Sequence, residues 1–251
     1  MNGLFPKLTK QGVQVKTVAE ITSTNDVLAE QIGSADCVQL LVADRQTAGH
    51  GKFDRHFYSP QAGAYFSLGW PVSLLPAGWN PQKMTVTAAV ASRQVCEQVS
   101  GQALTVKWVN DLYLGDHKLA GILAQTALSA QNQFSGLVVG IGINLVAPTD
   151  WPSELQERAG ALFNKPLTKA ARYQLIDDLC SCYLGLLKKP WSKVLAAYRA
   201  KQYLTGKKIT VDSGQKKTAG RFAGIDAAGQ LLLQTKNGLK TFTTGTVRLA
   251  Q

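Results

Sequence analysis

Lys107-Trp-Val-Asn-Asp-Leu-Tyr-Leu-Gly-Asp-His-Lys-Leu-Ala-Gly-Ile-Leu123 puts a carboxamide (Asn110), a carboxylate (Asp111) and a lysine (Lys118) on adjacent strand-like, apolar stretches. Charged groups in such surroundings are costly unless each has a partner or a ligand. The segment is therefore read as the seat of the chemistry. Upstream, Leu104 to Trp108 reads as a strand feeding it. Downstream, Lys118 to Gln125 and the valine- and isoleucine-rich Leu137 to Leu145, broken by Gly140 and Gly142, read as two more strands. Taken singly, each polar residue has a plain structural use. Lys118 could pair with Asp116 or Asp111 at a strand edge, Asn110 and Asp111 could cap a turn, and Asn144 could terminate its strand.

Further out, Val13 to Ile21 alternates as a strand. It leads into Thr22-Ser-Thr-Asn-Asp26, whose hydroxyls and amides favour a turn and a helix cap before Val27. Val38 to Ala43 is a buried-strand run, and Asp44 to His56 is polar, basic and glycine-bearing, as expected of a mobile loop. Ala64 to Trp70 reads as a strand and Thr85 to Val99 as a helix. Leu167 to Leu187 and Trp191 to Leu204 carry helical periodicity on either side of Pro190. From Gly206 the pattern turns to short β segments with Asp-Ser-Gly, Asp-Ala-Ala-Gly and Lys-Asn-Gly turns, the mark of a small antiparallel barrel. The expected domains are 1–205 and 206–251.

At 251 residues, 45% hydrophobic and 17% charged, the chain falls in the ordinary globular class. Met1 to Lys10 lacks the apolar core of a signal peptide and no run of eighteen apolar residues occurs, so a cytoplasmic protein with no membrane partner is expected. Cys37, Cys96, Cys180 and Cys182 are scattered, and His50, His56 and His117 show no metal-ligand spacing. The net charge is +11, of which residues 206–251 carry +6, since Lys207, Lys208, Lys216, Lys217, Arg221, Lys236, Lys240 and Arg248 face only Asp212 and Asp226. A nucleic-acid reader built on that basic module would want stacking aromatics, and it has only Phe222 and Phe242. Gly49 to Arg55 supplies glycines and cations suited to an anion. It is not a Walker A loop, because Gln46 and Phe53 stand where glycine and Ser/Thr are required. Gly140-Ile-Gly142 lacks the third glycine of a dinucleotide fingerprint.

Five segments in order resemble the biotin protein ligases. Ser23-Thr24-Asn25 matches the family's Ser-Thr-Asn, and Gln46-Thr47-Ala48-Gly49 opens its loop, usually Gly-Arg-Gly-Arg-x-Gly-Arg. Lys107-Trp108-Val109-Asn110-Asp111 matches Lys-Trp-Pro-Asn-Asp, with Val109 for proline. Lys118-Leu119-Ala120-Gly121-Ile122-Leu123 matches Lys-Leu-x-Gly-Ile-Leu, and Gly140-Ile-Gly-Ile-Asn144 matches Gly-x-Gly-x-Asn. In the loop, His50 and Lys52 replace two arginines and Asp54 a glycine, leaving Arg55. A lysine lacks the planar bidentate contact of a guanidinium.

The resemblance implies an α+β fold. A mixed or antiparallel sheet with helices, of class II synthetase type, is followed by an SH3-like barrel; the N-terminal helix-turn-helix of bifunctional members is missing, so no DNA partner is expected. It implies a ligase that uses ATP, as MgATP, to activate biotin as biotinyl-5′-adenylate. The biotin then passes to one lysine of a biotin carboxyl carrier protein, the acetyl-CoA carboxylase subunit. Lys118, Asp111, Lys52 and Arg55 are the implied catalytic residues. Biotin falls to Ser23, Thr24, Gln46, Gly49, His50, Lys118 and Gly121, with Phe57, Tyr65 and Trp108 as walls. The nucleotide falls to Lys52, Arg55, Asn110, Lys118 and Asn144. Asp111 either meets Mg²⁺ or orients and deprotonates the incoming amine. A lipoate or octanoate ligase or transferase is the alternative within this chemistry, and a nucleic-acid-binding protein the alternative outside it.

Overall fold

A computed structural model describes residues 3–149, 151–214 and 216–250. Its larger sheet is mixed, with seven strands: β1 (Gln14–Ile21), β2 (Gln39–Gln46), β3 (Gly63–Pro71), β4 (Thr105–Lys107), β5 (Asp111–Leu114), β6 (His117–Leu128) and β7 (Phe134–Asn144). They lie in the order β1-β2-β3-β7-β6-β5-β4. Only β1 and β2 run parallel; the other pairs are antiparallel.

Helices cover both faces. The first two are α1 (Pro6–Lys10) and α2 (Thr24–Gln31). Next comes α3 (Pro81–Ser100), which starts four residues before the expected Thr85. Asn80 caps it by accepting the Lys83 N–H, and Pro81 sits in its first turn, where a missing N–H costs nothing. The short α4 (Ser153–Gln156) is followed by α5 (Lys169–Leu187) and α6 (Trp191–Arg199). α6 stops well short of the expected Leu204. Beyond it the chain passes through a series of turns, in which Val106 N–H donates to Lys201 O and Tyr203 N–H donates to Val106 O.

The main core lies on the face covered by α3, α5 and α6, where Val139, Ile141 and Ile143 of β7 meet Val86, Val90, Leu179 and Tyr183. A smaller cluster of Leu28, Ile32, Leu41 and Val138 sits under α2 on the opposite face. Side chains alternate along a strand, so the face that buries Val138 also carries Gly140, Gly142 and Asn144. Around the N-terminal end of α2 these glycines put no side chain of their own on this face, and a hollow results.

The C-terminal part is a five-stranded antiparallel sheet. Its strands are β8 (Lys208–Asp212), β9 (Lys217–Ile225), β10 (Leu231–Thr235), β11 (Gly238–Phe242) and β12 (Thr246–Leu249), in the order β11-β10-β9-β8-β12. It docks through backbone carbonyls that accept side-chain donors from the larger part: Trp108 to Gly229 at 3.0 Å, Trp191 to Ala227 at 2.8 Å and Arg199 to Ile225 at 2.8 Å. Among the described residues no helix is long and apolar enough to cross a membrane.

Candidate functional site

The hollow is defined by one register row across the sheet. Tyr65 of β3 lies opposite Gly142 of β7, Gly142 opposite Gly121 of β6, Gly121 opposite Asp111 of β5, and Asp111 opposite Lys107 of β4. Two glycines side by side leave an open floor between Tyr65 and Asp111. The Phe57 ring lies over it, so close that a Cβ on Gly142 would collide with the ring. Gly140, one pleat away, makes room in the same way for the Asn25 carboxamide.

Two adjoining cavities open here. The first, of about 200 Å³, is lined among others by Ser23, Thr24, Asn25, Gln46, His50, Gly121 and Gly140. The second, of about 590 Å³, is lined by Lys107, Trp108, Tyr113 and Asn144, by Trp151 to Ala159 beyond β7, and by Gly245 to Arg248 of the C-terminal sheet. Lys52, Arg55, His56, Phe57, Asn110, Asp111 and Lys118 line both. The expected set is therefore brought together, except that Gly49 lines neither cavity and Asn144 only the second. A Cβ on Gly49 would meet Ser59 Oγ and Gln46 Nε2, and its carbonyl accepts the Phe57 N–H at 2.8 Å. Of the expected aromatic walls, Phe57 lines both cavities and Trp108 the second; Tyr65 is buried behind Phe57, edge-on to it.

The first cavity is walled by a polar network. Ser23 caps α2, its Oγ accepting the Asp26 N–H at 3.3 Å. Gln46 Oε1 accepts from Thr24 N–H at 2.8 Å and from Thr24 Oγ1 at 3.0 Å, while Gln46 Nε2 donates to Ser59 Oγ at 3.1 Å. Ser67 Oγ lies 2.8 Å from Thr24 Oγ1 and 2.7 Å from Asn25 Oδ1, and its single proton serves one of them at a time. Asn25 Nδ2 donates to Leu123 O at 3.2 Å. A ligand entering here meets amides and hydroxyls already fixed in place.

The loop after β2 folds back as a hairpin, with His50 bridging to His56 and Gly51 N–H donating to Arg55 O. Strand pairing already covers Asp44 to Gln46, so the loop is shorter than the sequence suggests. His50 Nε2 sits 3.0 Å from the Asp26 carboxylate, which also accepts from Gln125 Nε2 at 3.1 Å. Burial pushes the Asp26 carboxyl up, yet these contacts outweigh it and leave its pKa below the ordinary value.

At the junction of the cavities Lys118 Nζ stands 2.7 Å from Asp111 Oδ1. Of the two acidic partners open to Lys118 from sequence, the ion pair is with Asp111; Asp116 instead accepts from Tyr203 at 2.8 Å. Lys107 Nζ donates to Tyr113 Oη at 3.2 Å, and both it and Lys52 feel the charge of the same carboxylate. Burial lowers the pKa of both amines, Asp111 opposes that, and Arg55 adds to it. Asn110 and Asn144 spend their carboxamide N–H groups on the scaffold. Asn110 Nδ2 donates to Ile122 O at 2.8 Å, and Asn144 Nδ2 donates to Gly160 O at 3.1 Å. Sequence reading passed over Asn25, Ser59, Ser67, Lys107 and Tyr113 as site residues. Asn25 and Lys107 stand inside quoted motifs and were legible; Ser59, Ser67 and Tyr113 arrive only through strand pairing.

A family model described as the biotin/lipoate A/B protein ligase family matches residues 17–144. One described as the biotin protein ligase C terminal domain matches residues 205–249. The bifunctional ligase/repressor BirA of Bacillus subtilis is 27% identical over 238 residues, covering 92% of this chain and 72% of that protein. The biotin--[acetyl-CoA-carboxylase] ligase of Mycobacterium tuberculosis is 28% identical over 243 residues, covering 93% and 88%. Among solved structures, the biotin protein ligase from Aquifex aeolicus in complex with biotin and ATP superposes with a TM-score of 0.79 at 26% identity, covering 95% of this chain and 99% of that one.

Proposed function

The chain belongs to the biotin/lipoate A/B protein ligase family, and from that membership we propose that it is a cytoplasmic ligase joining biotin to a carrier-protein lysine at the expense of ATP. Residues 1–205 form the catalytic domain and 206–251 the C-terminal module. The match of the C-terminal segment to a biotin protein ligase domain favours biotin over lipoate. So does the fixed polar network around Thr24, Gln46 and Asn25, which suits a ureido ring better than a bare acyl chain. Four free cysteines and the use of ATP fit the cytoplasm.

One observation carries the reading: a lysine, Lys118, held by a carboxylate at the place where two cavities meet. A free carboxylate is a poor electrophile and must be activated. A biotin carboxylate oxygen attacks the α-phosphorus of ATP, the bond from that phosphorus to the β-phosphate oxygen breaks, and pyrophosphate leaves. The carrier amine then attacks the acyl carbon, AMP is expelled with the bonding electrons, and the amine loses its proton. Two anions meet in the first step. Lys118 bridges the biotin carboxylate and the α-phosphate, with Lys52 and Arg55 closing over them and offsetting their repulsion. Asn110 and Asn144 shape the nucleotide side by fixing the backbone around Ile122 and Lys118. Among the described residues Asp111 is the one carboxylate lining either cavity. That donor set fits a Mg²⁺ brought in on ATP, a cation that keeps phosphate and water ligands and takes one or two carboxylates. Bound there it neutralises phosphate charge. Asp111 is equally placed to orient and deprotonate the carrier amine.

The test is incubation with ATP, Mg²⁺, biotin and the carrier domain of acetyl-CoA carboxylase, followed by intact-mass analysis. Gain of one biotinyl group on one lysine, dependent on ATP and absent with lipoate, is expected. No mass gain, or a lipoyl gain instead, would reject the assignment.

A further inference from the structure

Two arginines outside every motif line the second cavity, Arg158 and Arg248. Arg158 belongs to the segment that doubles back after β7. Lys118 N–H donates to Arg158 O at 2.7 Å and Gly160 N–H donates to Lys118 O at 2.8 Å, so its backbone is laced to that of the lysine at the cavity junction. Arg248 follows buried Val247 on β12, and the same strand reaches the loop after β2, where Arg55 Nη2 donates to Thr246 Oγ1 at 3.4 Å. Both arginines are exposed, and among the described residues neither guanidinium has a hydrogen-bond or ion-pair partner.

The surroundings narrow what they are for. Lys52, Arg55, Lys107, Lys118, Arg158 and Arg248 share this cavity with a single described carboxylate, Asp111, which is already paired with Lys118. Such an excess of cations calls for a polyanion. The loop contributes only one guanidinium, Arg55, and an ammonium cannot grip a phosphate through two parallel hydrogen bonds. Two guanidiniums from separate walls supply that grip. An acidic protein surface would also meet exposed arginines, but these two converge on the same cavity as Lys107 and Lys118 rather than on an outer face.

We propose that Arg158 and Arg248 bind the β- and γ-phosphates of the nucleotide and hold the pyrophosphate as it departs, an inference that rests on the adenylating activity proposed above. The C-terminal sheet thereby supplies a substrate contact as well as a prop. The experiment compares the full-length protein with R158Q, R248Q and the double variant in biotin-dependent ATP–pyrophosphate exchange and in transfer to carrier from preformed biotinyl-5′-adenylate. Biotin titration and thermal unfolding report on folding. We expect KM for ATP to rise about tenfold in each single variant and further in the double, the loss typical of a charge-assisted contact. Biotin affinity and transfer from preformed adenylate stay at the wild-type level. An unchanged KM for ATP in the folded double variant overturns the proposal, as does a rise confined to KM for the carrier, which would make the pair a carrier-docking element. Absence of exchange in the wild-type protein would instead reject the ligase reading itself.

Discussion

Lys52 and Lys107 carry their charge into a place that penalises it. Burial lowers both amines from the ordinary 10.5, and only Asp111 pulls the other way. Because each folded pKa lies below its unfolded value, the unfolded chain binds more protons between the two. In that window these groups make stability rise with pH, as the cost of holding buried charge is relieved. Activity runs the other way. The cations are fully present below the lowered pKa and are lost as pH rises through it, so adenylate formation develops an alkaline limb that starts below pH 10.5. In Lys107→Arg, whose guanidinium does not titrate in this range, the limb moves to higher pH when kcat/KM for ATP is profiled. A limb unchanged in both Lys107→Arg and Lys52→Arg would show that neither amine sets it.

At the scale of the element, β7 makes the site by what it omits. Val139, Ile141 and Ile143 build the core on one face, and Gly140 and Gly142 leave the other face empty for Asn25 and Phe57. Gly142→Ala forces its methyl into the Phe57 ring and should cost about 1–3 kcal/mol, the usual range for overpacking, along with biotin affinity. Phe57→Ala in the same chain removes the collision, so the pair is strongly non-additive in denaturant unfolding. Additive losses would mean that the ring does not rest on that glycine.

Elements whose signal is local were legible from sequence. The broken Val/Ile run gave β7, and Ser23-Thr24-Asn25 gave the capped start of α2. The misses have long-range causes. α6 ends early because Lys201 and Tyr203 are taken by Val106, a pairing no window of residues around 200 contains. β12 offers only Val247 as a buried residue and so shows no alternation. The short α1 depends on Asp177, whose carboxylate accepts the Lys7 and Leu8 N–H groups from more than 160 positions away. In the site, motif residues were legible because their spacing is conspicuous. Ser67, Tyr113, Arg158 and Arg248 were not, since strand register and the return of the chain after β7 bring them in.

For the whole molecule, the two sheets work as one body because indole and guanidinium donors of the larger part end on carbonyls of the smaller. Trp108 is the most buried of these links. Trp108→Phe leaves the Gly229 carbonyl without that donor. Because Gln82 Nε2 also donates to that carbonyl, the change should lower stability by about 0.5–1.5 kcal/mol in denaturant unfolding, the net worth of one hydrogen bond. A stability equal to wild type would mean that the contact does not tie the parts together. The long cavity wall from Gly245 to Arg248 explains why such docking matters: the second cavity is incomplete without the smaller sheet.

All of this converges on Lys118 as the cation that lets two anions meet. Biotin-dependent ATP–pyrophosphate exchange, run on wild type and Lys118→Ala with biotin binding measured in parallel, puts that to the proof. A fall of about a hundredfold or more in the variant is expected, the loss typical when one preorganised donor is removed. Exchange at a near wild-type rate in a folded Lys118→Ala protein would place the chemistry elsewhere.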